Sequence, residues 1–218
     1  MQGYQVRKLA IEVGAFKGRL RALSDKQQFF DPQGSAAKAG ICSASWSLFG
    51  QLWPASQVLA KAVKQLDIKS RRILELGCGL GLPSLVLQYR GADITASDHH
   101  PLSESFLDYN ANLNHLPAIP YLDLPWGKEA KEIKPFDVIV GSDILYEPNH
   151  STLLVDLIKR IAKPKAKVMI SCPGRGHRNK FSNAMQDLGF SLVEKRVAFA
   201  EDEKAPFKGR LLTYRREG

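Results

Sequence analysis

Apolar positions along this chain follow two different periods. Between residues 4 and 30 they come in alternating patches, Leu9, Ile11 and Val13 and then Phe16, Leu20 and Leu23, which predicts short strands or a hairpin. Residues 31–40 carry the Pro, Gly and Ser of a loop and form the segment expected to move most. A helix should start near Pro54, Ala55 and Ser56, with Val58, Leu59, Ala62, Val63 and Leu66 on one face. From Arg72 the pattern becomes regular. Strands are predicted at about 72–76, 92–97, 118–123, 136–141 and 167–172, and helices at about 83–89, 102–114, 150–161 and 178–188. In the second of these helices Leu102, Phe106, Leu107 and Tyr109 are the apolar positions, and Gly91 and Gly189 end the first and last. The run Val138-Ile139-Val140 is continuously apolar, as a strand buried on both faces should be. Two further strands, about 190–200 and 208–215, close the chain.

Strand–helix alternation predicts an α/β fold with an open, mostly parallel sheet and helices on both faces. The two terminal strands predict an antiparallel hairpin at its edge. Residues 1–45 read as an N-terminal extension of strands and loop, and residues 46–218 as the main domain.

Of 218 residues, 44% are hydrophobic, an ordinary globular share that excludes a disordered chain. No apolar run approaches the roughly 20 residues of a membrane helix, and the first eight residues lack the apolar core of a signal peptide. Cys42, Cys78 and Cys172 are scattered, with no CxxC or Cys/His cluster. That argues against a disulfide framework and a zinc site, and a reducing, cytoplasmic setting is expected. The net charge of +9 is unevenly spread. Residues 1–72 hold 12 Lys/Arg against 4 Asp/Glu, residues 73–150 hold 4 against 11, and residues 151–218 hold 15 against 7. An acidic middle between basic flanks suits a cationic ligand in the first and an acidic partner on the second, although a solvated lysine-rich surface explains the flanks equally well.

Glu75-Leu-Gly77-Cys-Gly79-Leu-Gly81 lies between the first strand of the regular part and its helix, and the next strand ends on Asp98. Strand, glycine turn, helix, strand and acid is the order by which parallel α/β sheets bind a nucleoside. Glycines let the backbone approach the ligand, and Asp98 can accept hydrogen bonds from both ribose hydroxyls. NAD, FAD and S-adenosylmethionine sites all use such a turn. Glu75 favours the last, because a pyrophosphate wants a helix N-terminus without a nearby anion, whereas a sulfonium gains from one.

Trp126, in Leu124-Pro125-Trp126-Gly127, is a candidate aromatic wall beside the adenine, and Asp123 a candidate acceptor for its amino group. The bland readings are a partly buried loop aromatic and a solvated strand end. Ser142-Asp143-Ile144-Leu145-Tyr146 comes after the strand at 136–141 and places an acid at the mouth of the crevice. Asp143 can orient an amine and stabilise charge developing on its nitrogen, and Tyr146 can shape the channel or accept from an ammonium. A loop-capping Asp with a core Tyr is the alternative. His99-His100 lacks neighbouring ligands and is expected to face solvent. Pro173-Gly174-Arg175-Gly176-His177-Arg178 reads either as a lining of the acceptor entrance or as a basic turn, and Lys61, Lys64, Lys69, Arg71 and Arg72 as a solvated face.

Trp53-Pro54-Ala55-Ser56, the Glu75–Gly81 turn, Asp98, Leu124–Gly127 and Ser142–Tyr146 occur in the order found in class I, seven-strand S-adenosylmethionine-dependent methyltransferases. Within them the chain resembles the protein-lysine methyltransferases marked by an Asp-x-x-Tyr motif (methyltransferase family 16). The likeness covers about residues 50–195 and is strongest over 73–147. It implies a Rossmann-like fold and S-adenosylmethionine as cofactor. It implies that Trp53, Gly77, Gly79, Gly81, Asp98, Trp126 and the backbone of Ser142 hold the cofactor, with Glu75 nearby. Asp143 and Tyr146 take the acceptor side. Ser142 departs from the family's frequent Ala. The expected activity is methyl transfer to a protein side chain, lysine first, with no metal and no membrane partner. RNA or a small molecule is the alternative acceptor: the basic flanks favour RNA, while the absence of an Asn-Pro-Pro-Tyr or Asp-Pro-Pro-Tyr motif and of a cysteine after the strand at 136–141 speaks against it. A non-catalytic binding module and a dehydrogenase are the more distant readings.

Overall fold

The computed structural model describes residues 3–25, 28, 31, 33–41, 46–127, 133–197 and 208–218. Residues 26, 27, 29 and 30 of the alternating stretch 4–30, Pro32 of the expected loop, residues 42–45 with Cys42, and the expected strand end at 198–200 lie outside the described residues.

The main sheet contains seven strands: β3 (Arg72–Leu76), β4 (Asp93–Asp98), β5 (Tyr121–Asp123), β6 (Phe136–Ser142), β7 (Ala162–Cys172), β8 (Ser191–Val197) and β9 (Gly209–Glu217). Their spatial order is β5-β4-β3-β6-β7-β9-β8. β5 to β7 run parallel, and β9 inserts antiparallel between β7 and β8. The fold is therefore α/β, with a mostly parallel sheet that ends in a C-terminal antiparallel hairpin.

Alternation along the central strands divides the core into two layers. Ile73, Val138, Val140 and Met169 face one cluster, together with apolar residues of α2 (Pro54–Val63), α3 (Leu82–Tyr89) and α4 (Ser103–Leu113). Leu74, Leu76, Ile139, Val168 and Ile170 face the other, with α5 (His150–Ile161) and α6 (Arg178–Asp187). Burial on both faces is why these strands read as unbroken apolar runs. Their C-terminal ends converge on one edge, and β3 and β6, neighbours from which the chain turns opposite ways, open a crevice there.

The N-terminal alternation forms the hairpin β1 (Val6–Val13) and β2 (Phe16–Leu23). Phe16, Leu20 and Leu23 join the same core cluster as Ile94 and Phe106.

Several local expectations change. The stretch 31–40 contains a short helix, α1 (Ser35–Lys38), whose first turn is held by Asp31 accepting from Ser35 Oγ and the Ala36 and Ala37 amides. Strand β7 begins at Ala162, not near 167: Ala162 pairs with Phe136 of β6, and Lys165 to Cys172 pair with the long returning β9. Its first residues, Ala-Lys-Pro-Lys, carry no apolar alternation to reveal them. Tyr109 is 37% exposed, not a core position, and its ring is covered by the Arg21 guanidinium at 3.8 Å.

Candidate active site

Gly77, Gly79 and Gly81 all have positive φ (61°, 53° and 79°), a conformation that costs glycine nothing. The Cys78 amide donates to Ser97 O at 2.9 Å and the Gly81 amide to Cys78 O at 2.8 Å, which folds the turn over the ends of β3 and β4. A Cβ on Gly77 would meet Ile144 Cγ2 at 2.9 Å, whereas one on Gly79 would meet nothing within 4 Å among the described residues. Gly79 thus faces open space, and its left-handed backbone, not crowding, is what asks for glycine there.

This turn forms one wall of a cavity of about 230 Å³. Of the residues singled out in the sequence, Trp53, Gly77, Gly79, Asp98, Trp126, Ser142, Asp143 and Tyr146 line it together. Two do not. Glu75 is fully buried beneath the turn, where its Oε2 accepts from the Ser84 amide at 2.9 Å and from the Ser84 hydroxyl. Burial pushes its carboxyl up to about 8. Gly81 caps α3, and a Cβ there would collide with Leu107 Cδ1. Asp123 is exposed and lines a neighbouring depression with His99, Tyr121 and Pro125.

Asp98 is anchored by three backbone donors: Gly79 N to Oδ2 at 2.8 Å, and His99 N and His100 N to Oδ1 at 2.8 and 3.0 Å. A carboxylate offers about four acceptor positions, so capacity is left for a ligand hydroxyl. His100, expected in solvent, is buried and stacked on Phe49 with ring centroids 4.0 Å apart. Burial drives its imidazole down to about 3, which keeps it neutral.

On the opposite side Asp143 has φ +52°, uncommon for a non-glycine residue. Its amide donates to Ser171 O at 2.8 Å, pinning the start of the β6–α5 loop to β7. Its carboxylate receives two parallel bonds from Arg175, Nε to Oδ1 at 2.8 Å and Nη2 to Oδ2 at 2.9 Å. Tyr146 is half-buried, and burial, reinforced by the Asp98 charge, pushes its phenol up to about 12. His150, which the sequence did not single out, stands edge-on to both Trp126 (5.0 Å, 83°) and Tyr146 (4.5 Å, 81°). Its Nδ1 lies 3.1 Å from Ile144 O, so that nitrogen carries the proton. Only its place at the start of a predicted helix could have drawn attention to it.

The site therefore offers a glycine cradle, an anchored carboxylate and an aromatic ring, with a second carboxylate across the cavity. That donor set fits a nucleoside carrying a positive charge. Residues 43–188 match the family model described as lysine methyltransferase. The chain belongs to the lysine methyltransferase family. It is a class I methyltransferase and uses S-adenosylmethionine as its cofactor. Protein N-lysine methyltransferase METTL21A of Danio rerio is 30% identical over 150 residues, covering 63% of this chain and 68% of that protein. Histone-arginine methyltransferase METTL23 of Xenopus laevis is 29% identical over 104 residues, 44% of each chain, so less than half of that relative is spanned. In fold, the methyltransferase resembles the 16S rRNA N2 G1207 methyltransferase RsmC of Thermus thermophilus, in complex with AdoMet and guanosine. The TM-score is 0.65 at 15% identity, over 98% of this chain and 51% of that one.

Proposed function

We propose that this methyltransferase transfers a methyl group to a protein side chain, lysine in the first place, by direct in-line displacement. The observation that carries this reading is the placement of Asp143 and Tyr146 in the same cavity as Asp98 and the glycine turn. The cofactor, when bound, supplies an electrophilic methyl group on a sulfonium sulfur. Gly77 and Gly79 would let it lie against the backbone, Asp98 would accept from the ribose hydroxyls, and Trp53, Trp126 and the Ser142 backbone would complete the pocket. Glu75 and Gly81 act from behind, by fixing the turn to α3. Asp143 orients the acceptor nitrogen and balances the charge that develops on it, while Tyr146 walls the channel.

Relatives named as histone-arginine methyltransferases support a second reading, an arginine acceptor. The basic flanks suit an acidic partner, with RNA as the competing acceptor class. We further propose a cytoplasmic setting, in line with the cysteine usage. Residues 46–218 are assigned as the cofactor-binding domain, with residues 1–45 as an N-terminal extension.

The test is labelling of a cell lysate with methyl-labelled S-adenosylmethionine, followed by protease, nuclease and acid hydrolysis. Label in protease-sensitive bands that hydrolyses to methyl-lysine supports the first reading, and methyl-arginine selects the second. Nuclease-sensitive label rejects both. Asp143→Ala is expected to keep S-adenosylhomocysteine affinity and lose turnover by about a hundredfold. Unchanged turnover would remove Asp143 from the acceptor side.

A further inference from the structure

Asp143 does not face the cavity with a free carboxylate. Each of its oxygens accepts from Arg175, which comes from the turn after β7, 32 residues further along the chain, so the bidentate edge, the one that binds a cation best, is occupied. Both side chains line the cavity. Resting on the acceptor-side reading of Asp143, we propose that Arg175 is a built-in competitor of the acceptor. Its guanidinium holds the bidentate edge of the carboxylate that an incoming lysine or arginine side chain must reach, and competes with that side chain for the edge until displaced.

Three features favour displacement over a fixed structural pair. The partners are unequally buried: the Asp143 side chain is 15% exposed and Arg175 43%. The carboxylate stays in the site and needs a cation there, while the guanidinium, already half in water, is hydrated when the acceptor takes its place. Asp143 is also tethered through its amide to Ser171 O at 2.8 Å and does not need Arg175 to hold its backbone. Finally, Arg175 sits between Gly174 and Gly176. Among the described residues, a Cβ on Gly174 would meet nothing nearer than Lys208 O at 3.8 Å, and one on Gly176 nothing within 4 Å, so neither glycine is held by close packing.

The bidentate fork also sets a selectivity. A planar guanidinium matches a carboxylate better than an ammonium does. A lysine side chain must therefore outcompete a geometrically superior partner, which it can do only when the rest of the acceptor protein contributes binding. Free lysine and short unmatched peptides are disfavoured, and the enzyme is kept from methylating any exposed lysine it meets.

The experiment measures initial methyl transfer as lysate protein is titrated, for the wild type, Arg175→Gln, Arg175→Lys, Lys180→Gln and Asp143→Asn. S-adenosylhomocysteine affinity is measured on each by calorimetry. Arg175→Gln is expected to lower the half-saturating lysate concentration by about fivefold. Arg175→Lys should give a smaller fall in the same direction, because a single-point ammonium is a weaker competitor. Lys180→Gln removes a nearby exposed charge on α6 without touching Asp143 and should leave half-saturation in place. All Arg175 variants should bind S-adenosylhomocysteine within about twofold of wild type. A lower plateau with unchanged half-saturation in Arg175→Gln would instead make Arg175 a positioning residue for Asp143 and overturn the proposal. An equal fall in Lys180→Gln would reduce the effect to general surface charge and overturn it too. Wild-type transfer by Asp143→Asn would remove the acceptor-side reading itself and the proposal with it, whereas loss of transfer there with no Arg175 effect sinks only the proposal.

Discussion

Glu75 and Asp98 differ in what surrounds them, and that difference decides what each can do. Glu75 is fully buried, its Oε1 has no hydrogen-bond partner among the described residues, and burial raises its carboxyl from 4.5 to about 8. A folded-state value above the unfolded one means that the native state holds the proton more tightly. The stability linked to Glu75 is therefore complete below about pH 4.5 and is lost as pH rises toward 8, on the order of 1.4 kcal/mol per pH unit. Glu75→Gln, which keeps an acceptor for Ser84 without the charge, should raise the unfolding midpoint at pH 8 and flatten its pH dependence between 5 and 8; thermal melts across that range measure it. Asp98 is satisfied by three amides at the cavity wall. Asp98→Ala removes both the ribose acceptor and a clamp on the Gly79 turn, and should weaken S-adenosylhomocysteine binding at least about tenfold by calorimetry. Retained affinity would separate Asp98 from the cofactor. From sequence alone both acids looked like ligands of the cofactor, because the strand pattern places them at neighbouring strand ends and says nothing of the helix that closes over one of them.

At the scale of elements, helix α4 does the work of a missing strand. Asn110 Oδ1 accepts from Arg21 N at 2.7 Å, and its Nδ2 donates to Arg21 O at 3.3 Å and Leu80 O at 3.1 Å. Asn114 repeats the pattern two residues back on β2, accepting from Arg19 N at 2.8 Å and donating to Arg19 O at 2.7 Å. The spacing matches: four helical residues rise about 6 Å, and two strand residues advance about 6.8 Å. Two amides in register therefore pair with successive outward-facing peptide groups of β2. Asn110 is fully buried, so Asn110→Ala should cost about 2–4 kcal/mol by leaving buried peptide groups unpaired, and Asn114→Ala, at the exposed end, about 1 kcal/mol; urea denaturation measures both. The helix and the hairpin were each legible as periods of 3.6 and 2. That they meet was not, since the partners lie 89 and 95 residues apart.

In the whole molecule the hairpin belongs to the same core as the cofactor-binding part. Phe16, Leu20 and Leu23 are nearly inaccessible and pack in one cluster with residues of α2, α3 and α4. Burial of each contributes about 1.5–3 kcal/mol, and a domain's total stability is about 5–15 kcal/mol. Deleting residues 1–25 should therefore abolish the cooperative unfolding transition at 25 °C, as followed by circular dichroism. A truncated chain that still melts cooperatively and binds S-adenosylhomocysteine would make the hairpin an appendage. The charge division also acquires a place in space. The acidic stretch supplies Glu75, Asp98 and Asp143 to the cavity and its surroundings, while Arg175, from the basic C-terminal part, neutralises the last of these at the mouth.

The order of strands and helices, the glycine turn, Asp98 at the end of β4 and the Asp143–Tyr146 loop after β6 were determined by the sequence itself. Each is local: a positive φ asks for glycine, a strand buried on both faces asks for an apolar run, and a strand end in a parallel sheet presents its next few residues to the crevice. Which side chains meet across the chain was decided by the tertiary structure. Glu75 went to Ser84 beneath the turn, Gly81 to Leu107, and His100 under Phe49. His150 stood between two site aromatics, and Arg175 closed on Asp143. Periodicity assigns a residue to a face of its own element, but its partner is set by the packing of elements far apart in sequence.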